Sequence, residues 1–167
     1  KIGNLKFSQR NNIKESKFSK SFLMTVKNRR IWVASSTHPR EELIIAKTHS
    51  RLKKEFKNLL TVIIPRHINR IKEITYDLES FNLKTILRTS KQKIKLDTDI
   101  YLVDTYGETK KFFKLSKTTF IGGSLANHGG QNPIEPASFG LNIIHGPHVR
   151  NFKDIFKLFA KKKISHE

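Results

Sequence analysis

Residues 59–64, Leu-Leu-Thr-Val-Ile-Ile, form an apolar run interrupted by one threonine and closed by Pro65. The run is too short for a buried helix and shows no polar alternation, so it reads as a strand buried on both faces. Such a strand needs cover above and below, which means a parallel sheet sandwiched between helices. The flanking sequence supplies the pieces. Ile45, His49, Leu52 and Phe56 recur at helical spacing within 41–56, as do Ile68, Ile71, Ile74 and Leu78 after Pro65. Further strands are predicted at 31–35, 83–88, 100–103, 118–121 and 141–144, with short helices at 108–115 and 133–139. A closing amphipathic helix over 151–160 puts Ile155, Phe156 and Phe159 on its apolar side. This alternation predicts an α/β fold with a doubly wound parallel sheet.

Composition narrows what such a sheet serves. Thirty-three Lys and Arg against fourteen Asp and Glu leave a net charge of +19, which points to an anionic partner: nucleic acid, a membrane face or a phosphorylated molecule. Twelve Phe and 37% hydrophobic residues argue for a folded chain despite the charge. The absence of cysteine excludes disulfides, thiolate metal sites and cysteine nucleophiles. No apolar run approaches the roughly 18 residues of a membrane span and no signal-peptide pattern opens the chain, so the isolated chain is expected to be soluble. It starts on Lys1 in what reads as mid-sequence, and a fragment is expected.

The charge is uneven. Residues 1–30 carry nine bases against one acid, whereas 104–148 carries four against three. Seven of the eight glycines, Gly107, Gly122, Gly123, Gly129, Gly130, Gly140 and Gly146, fall in that near-neutral stretch. Glycine serves where the backbone takes unusual dihedrals or a ligand approaches closely, so the special backbone lies away from the densest charge.

In a doubly wound sheet the ligand sits beyond the carboxyl ends of the strands, and four turns qualify. The first runs through Ser36, Thr37 and His38, and the second is Pro65, Arg66 and His67. The third is Asp104, Thr105, Tyr106, Gly107 and Glu108. The last runs from Gly122, Gly123 and Ser124 through Gly130 to Asn132, Pro133, Ile134 and Glu135. Here Asn132 suits an N-cap, Pro133 a first helical position and Glu135 a capping-box carboxylate. The glycine-rich approach would leave N–H groups free for an anion. Glu135 equally suits an acceptor for sugar hydroxyls, and the two roles are compatible. Arg66, at the mouth of the crevice, suits a fork onto phosphate or carboxylate, against the plainer reading of a solvated arginine. As histidines, His38 and His67 could serve as general bases near neutral pH, or simply pack or cap their loops. His128, His145 and His148 lack ligand spacing for zinc. Asp97, Thr98 and Asp99 match a short acidic signature of metal-dependent sugar transferases, but precede a strand. Residues 110–117 interleave lysines with Phe112 and Phe113 as a single-strand nucleic-acid binder does, although an amphipathic helix with the aromatics inward explains them better.

These turns, in this order, resemble the C-terminal half of the bacterial Kdo transferases, which move 3-deoxy-D-manno-octulosonic acid from CMP-Kdo to the lipid A precursor. The matching residues are Gly3-Asn-Leu-Lys-Phe7; Trp32-Val-Ala-Ser-Ser-Thr-His-Pro39 with Glu41 and Glu42; Pro65-Arg-His67; Asp104-Thr-Tyr-Gly-Glu108; Phe120-Ile-Gly-Gly-Ser124; Gly129-Gly-Gln-Asn-Pro-Ile-Glu-Pro136; and Gly146-Pro-His148 with Asn151 and Phe152. The resemblance covers about residues 1–160 and is thinnest over 8–30 and 75–98.

It implies the Rossmann-like C-terminal, nucleotide-binding half of a GT-B glycosyltransferase, with 1–30 as a basic interdomain segment and 31–167 as the CMP-sugar-binding domain. CMP would meet Pro65, Arg66, Tyr106, Gly107, Glu108, Asn132, Pro133, Ile134 and Glu135. Ser36, Thr37, His38, Gly123, Ser124 and Gly130 would line the cleft. Tyr106 stands where the family often has Met. The implied reaction is inverting, without metal or cofactor, and its acidic catalytic base belongs to an N-terminal domain, leaving no catalytic residue in this chain. Implied partners are CMP-Kdo, the phosphorylated lipid A precursor, the N-terminal half and an anionic membrane surface at the cytoplasmic face of the inner membrane. Nucleic acid is not among them. Two alternatives stand beside this one. A basic nucleic-acid-binding domain would draw on the net charge, but has no helix-turn-helix, RRM, KH or zinc-finger text. An inactive remnant of a split transferase would share the same motifs.

Overall fold

The computed structural model describes residues 18–167. The run at 59–64 becomes β2 (Leu59–Pro65), every residue of which is buried. It lies between β1 (Arg30–Thr37) and β4 (Ile100–Leu102), with β3 (Thr85–Leu87) beyond β4. On the other side of β1 follow β5 (Thr118–Ile121), β6 (Asn142–Ile144) and β7 (Ser165–His166). The order is β3-β4-β2-β1-β5-β6-β7 and every pairing is parallel.

Helices cover both faces, as a strand apolar on both sides requires. On one face α2 (Glu41–Glu55) and α3 (Ile71–Ser80) bring Ile45, Ala46, Ile74 and Leu78 onto Trp32, Ala34, Ile63, Leu102 and Phe120. On the other, α4 (Thr109–Phe113) buries Phe112 and Phe113 against Val33, Val62 and Tyr101. Those two rings are thus core residues, with no face left for stacking on nucleic-acid bases. Near β6, α5 (Ile134–Ser138) and α6 (Lys153–Lys161) pack Ala137, Phe156 and Phe159 against Ile121 and Ile143.

Two elements go beyond the sequence-based expectation. Within the basic stretch 1–30, α1 (Lys20–Val26) is capped by Ser19, whose hydroxyl accepts from the Phe22 N–H at 3.1 Å. Phe18 and Phe22 join the core beside Phe112 and Tyr101, and Val26 is buried. Arg29 is buried too, its guanidinium donating to the carbonyls of Asn58, Leu59, Lys95 and Thr98. The second addition is β7, two residues long and without a pattern of its own. The motif from Gly3 to Phe7 lies outside the described residues. Among the described residues no helix is long and apolar enough to cross a membrane.

Candidate functional site

The strand order reverses at β1, whose neighbours are β2 on one side and β5 on the other, so the crevice opens where β1 and β5 end. Register slips between Ser35 and Thr37, and Ser36 takes a left-handed φ of 55°. The slip brings the Ser36 carbonyl against Gly122, where any Cβ would overlap it, while the Gly122 N–H donates to Ser35 O at 2.8 Å. Only glycine permits that approach. From there Gly130 N–H donates to Gly123 O at 2.9 Å and Gln131 N–H to Gly122 O at 3.1 Å, folding the glycine loop back on itself. Ser124 is buried, accepting from the Gly146 N–H at 2.9 Å. Thr37, Pro65 and Arg66 meet by direct pairing, with Arg66 N–H donating to Thr37 O at 3.0 Å.

Three imidazoles gather over this floor. His38 stacks on His128 with centroids 4.2 Å apart and meets His67 edge-on at 6.0 Å. Gln131 Nε2 lies 3.4 Å from His38 Nε2. Burial first, then His128, His67 and Arg66, push the His38 pKa down, against an opposing pull from Glu41. His38 is therefore a neutral imidazole near pH 7, able both to donate and to accept. The side chain of Arg66 is exposed. Among the described residues no group of three or more His, Asp or Glu is placed to hold a metal ion.

The other two turns stand farther along the same edge. Glu108 is held by Arg88 at 3.0 Å and by Lys111 and Thr105. Burial alone would raise its carboxyl, but donation from Lys111, Thr105 and Arg88 overrides it and holds the pKa at about 2. Its side chain thus braces the turn, while Tyr106 and Gly107 are exposed. Lys110, next along, reaches Glu135 at 3.5 Å and so ties this turn to the start of α5.

The cap forms as expected but the box does not: Pro133 already has helical dihedrals and Asn132 Oδ1 accepts from the Ile134 N–H at 2.9 Å. Glu135, at capping-box spacing from Asn132, faces Lys110 instead. Of the N–H groups in this glycine-rich approach, those of Gly130, Gln131 and Ile134 are already donated within the loop. Asp97 and Asp99 lie before β4, at the opposite end of the sheet. There Asp97 pairs with Lys84 at 2.6 Å, and Asp99 with Lys53 at 3.1 Å and His49 at 3.3 Å.

No protein-family model matches the chain. Its fold matches the crystal structure of the C-terminal CMP-Kdo binding domain of WaaA from Acinetobacter baumannii, with a TM-score of 0.77 and 32% identity. That alignment covers 82% of this chain and 72% of the other. The chain belongs to the Kdo transferase family. The 3-deoxy-D-manno-octulosonic acid transferase of Haemophilus influenzae is 37% identical over 134 residues, 80% of this chain and 31% of that protein. The Rickettsia typhi enzyme of the same name is 37% identical over 157 residues, 93% of this chain and 34% of that protein. The chain thus spans about a third of the length of the curated relatives it matches.

Two acids that build the crevice floor were given no role from the sequence. Glu41, 1% exposed, accepts from the N–H groups of His38 (2.9 Å), Gly123 (2.8 Å), Leu125 (2.9 Å) and Ala126 (3.1 Å). One carboxylate thereby fixes the turns after β1 and β5 to each other and sets the floor of the crevice. Glu42, equally buried, accepts from Thr37 Oγ1 at 2.8 Å and pairs with Arg70 at 3.0 Å. In sequence the two look like ordinary acids of a helix first turn, and although they belong to the matched strand-end motif, nothing there assigned them a role.

Proposed function

We propose that this chain is the part of a GT-B Kdo transferase that binds CMP-Kdo, with Arg66 and the edge formed by residues 106–108 and 132–135 receiving the CMP moiety. The observation that carries this reading is the junction of β1 and β5. There a bulge, a glycine that admits no Cβ and one buried carboxylate build a rigid floor beside an exposed arginine. A floor of this kind suits a charged ligand held by few contacts. Arg66 would meet the phosphate with its guanidinium fork and stabilise the charge that gathers on it as CMP leaves. Neutral His38, with His67 edge-on beside it, would face the sugar and offer a donor and an acceptor there. Glu135, half-exposed and pulled away from a capping role, is placed to accept from ribose hydroxyls. Ser36, Thr37, Gly123, Ser124 and Gly130 contribute shape through the backbone.

In the whole enzyme the reaction would be an inverting, metal-independent transfer of Kdo to a phosphorylated lipid A precursor at the cytoplasmic face of the inner membrane. The acidic base would come from an N-terminal domain joined through residues 1–30, so this chain alone would bind CMP and transfer nothing. Calorimetry of CMP binding tests the site. Arg66→Ala is expected to weaken binding at least tenfold, about 1.4 kcal/mol, and Glu135→Ala severalfold. Unchanged affinity in both variants refutes the assignment. Transfer to a lipid acceptor by the isolated chain refutes the placement of the base.

A further inference from the structure

At the opposite end of the sheet, where β1, β2 and β5 begin, lies a pocket of about 690 Å³. That is within the range of small-molecule sites, roughly 300–1,000 Å³. Its walls are apolar: Leu52 and Phe56 from the end of α2, Trp32 from β1, Leu115, and Ile144, which is 39% exposed. Its rim is cationic, carrying Lys27, Arg30 and Lys117, and no Asp or Glu lines it. Among the described residues no carboxylate pairs with these three, and Arg30 lies 4.0 Å over the Phe56 ring. The indole Nε1 of Trp32, 9% exposed, is buried with no hydrogen-bond partner among the described residues. A buried donor left unpaired costs about 1–3 kcal/mol, so Trp32 sits in a wall that is not fully satisfied by the protein itself.

We propose that this pocket is a second ligand site, separate from the nucleotide crevice, for a small amphiphile with an apolar body and one acidic group. The apolar body would lie along Leu52, Phe56 and Ile144, and the acid would meet Arg30 and Lys117.

The chain has one tryptophan, so Trp32 fluorescence reports on this pocket without labelling. Decanoate, kept below its micelle concentration, is expected to change Trp32 emission saturably, and 1-decanol to bind at least tenfold more weakly. Lys117→Glu and Arg30→Glu, each checked for an unchanged melting temperature, should weaken decanoate at least tenfold while leaving CMP affinity unaltered. Anionic phosphatidylglycerol vesicles serve as a separate arm: a response to vesicles without one to monomeric decanoate assigns the rim to a membrane surface and overturns the proposal. Equal binding of decanoate and 1-decanol, an undiminished response in both charge variants, or no response to decanoate overturns it as well. Because the CMP titration is independent, failure here leaves the crevice assignment untouched, and failure there leaves this one standing.

Discussion

Glu41→Gln is the sharpest test of how the crevice is built, because it preserves volume and removes only the ability to accept at one end. In the structure Oε1 takes the N–H groups of Leu125 and Ala126, and Oε2 those of His38 and Gly123. A glutamine keeps one accepting oxygen, so two of the four donors would confront an NH₂ group instead. A hydrogen bond to a charged group contributes about 1.5–3 kcal/mol, which sets the loss of two at about 3–6 kcal/mol. The two bonds that remain weaken from charged to neutral. Against a domain stability of about 5–15 kcal/mol the variant would be badly destabilised and at the low end unfolded. Urea denaturation measures this directly, as a shift in midpoint at unchanged slope. The milder partner is Glu42→Gln, which loses the charge facing Arg70 but still accepts from Thr37. It should cost less and leave the contact between the β1 and β5 turns in place. CMP calorimetry on whichever variants fold would show Glu41→Gln impaired well beyond Glu42→Gln. A Glu41→Gln protein within 1 kcal/mol of wild type that binds CMP normally would contradict the view that this carboxylate organises the floor.

Further expectations concern backbone, clamp and charge. Gly122→Ala should cost about 1–3 kcal/mol or more and abolish CMP binding, since its Cβ meets the Ser36 carbonyl. Gly107→Ala, with φ at +79° and open space around it, should cost only about 1–2 kcal/mol of left-handed strain; equal losses in urea denaturation would remove the argument for close approach. Arg29→Met leaves carbonyls of Asn58, Leu59, Lys95 and Thr98 without their donor and should cost about 3 kcal/mol by the same assay. Glu108 and Asp99 both sit at about 2 in the folded protein, below ordinary values of 4.5 and 3.8. Burial opposes each shift, and donors overcome it: Lys111, Thr105 and Arg88 for Glu108, and His49, the Lys84 N–H and Lys53 for Asp99. Depressed folded pKa values stabilise above the unfolded ones, so stability should fall as pH drops from about 4.5 towards 2. Glu108→Gln should flatten that fall in a urea series across pH, and an unchanged slope would discount the Glu108 pairings.

What could be read from the chain beforehand follows from the range of the interactions involved. The strands and long helices were legible because burial on two faces or along one stripe leaves a repeating pattern: 59–64 maps onto β2, and 41–56 onto α2 (Glu41–Glu55). The helix α1 was not, because its basic neighbours advertise charge and leave no clear apolar stripe. Arg29 shows how misleading that advertisement is, since a residue counted as part of a basic surface is 8% exposed and bonded to four carbonyls. The site divided along the same line. Turn positions were legible, because a strand must end where the pattern stops, and all four lie at the carboxyl edge of one sheet. The use each side chain is put to was not, because it depends on which partners the fold brings up, as between Glu41 and Gly123, 82 residues apart. Glycine loops illustrate both halves of the point. Their density drew attention to a loop in which the N–H groups of Gly130, Gln131 and Ile134 turn out to hold the backbone together. If CMP binds at this edge as proposed, Arg66, exposed and bonded among the described residues through its backbone N–H to Thr37, is the side chain whose removal separates a binding surface from a folding one.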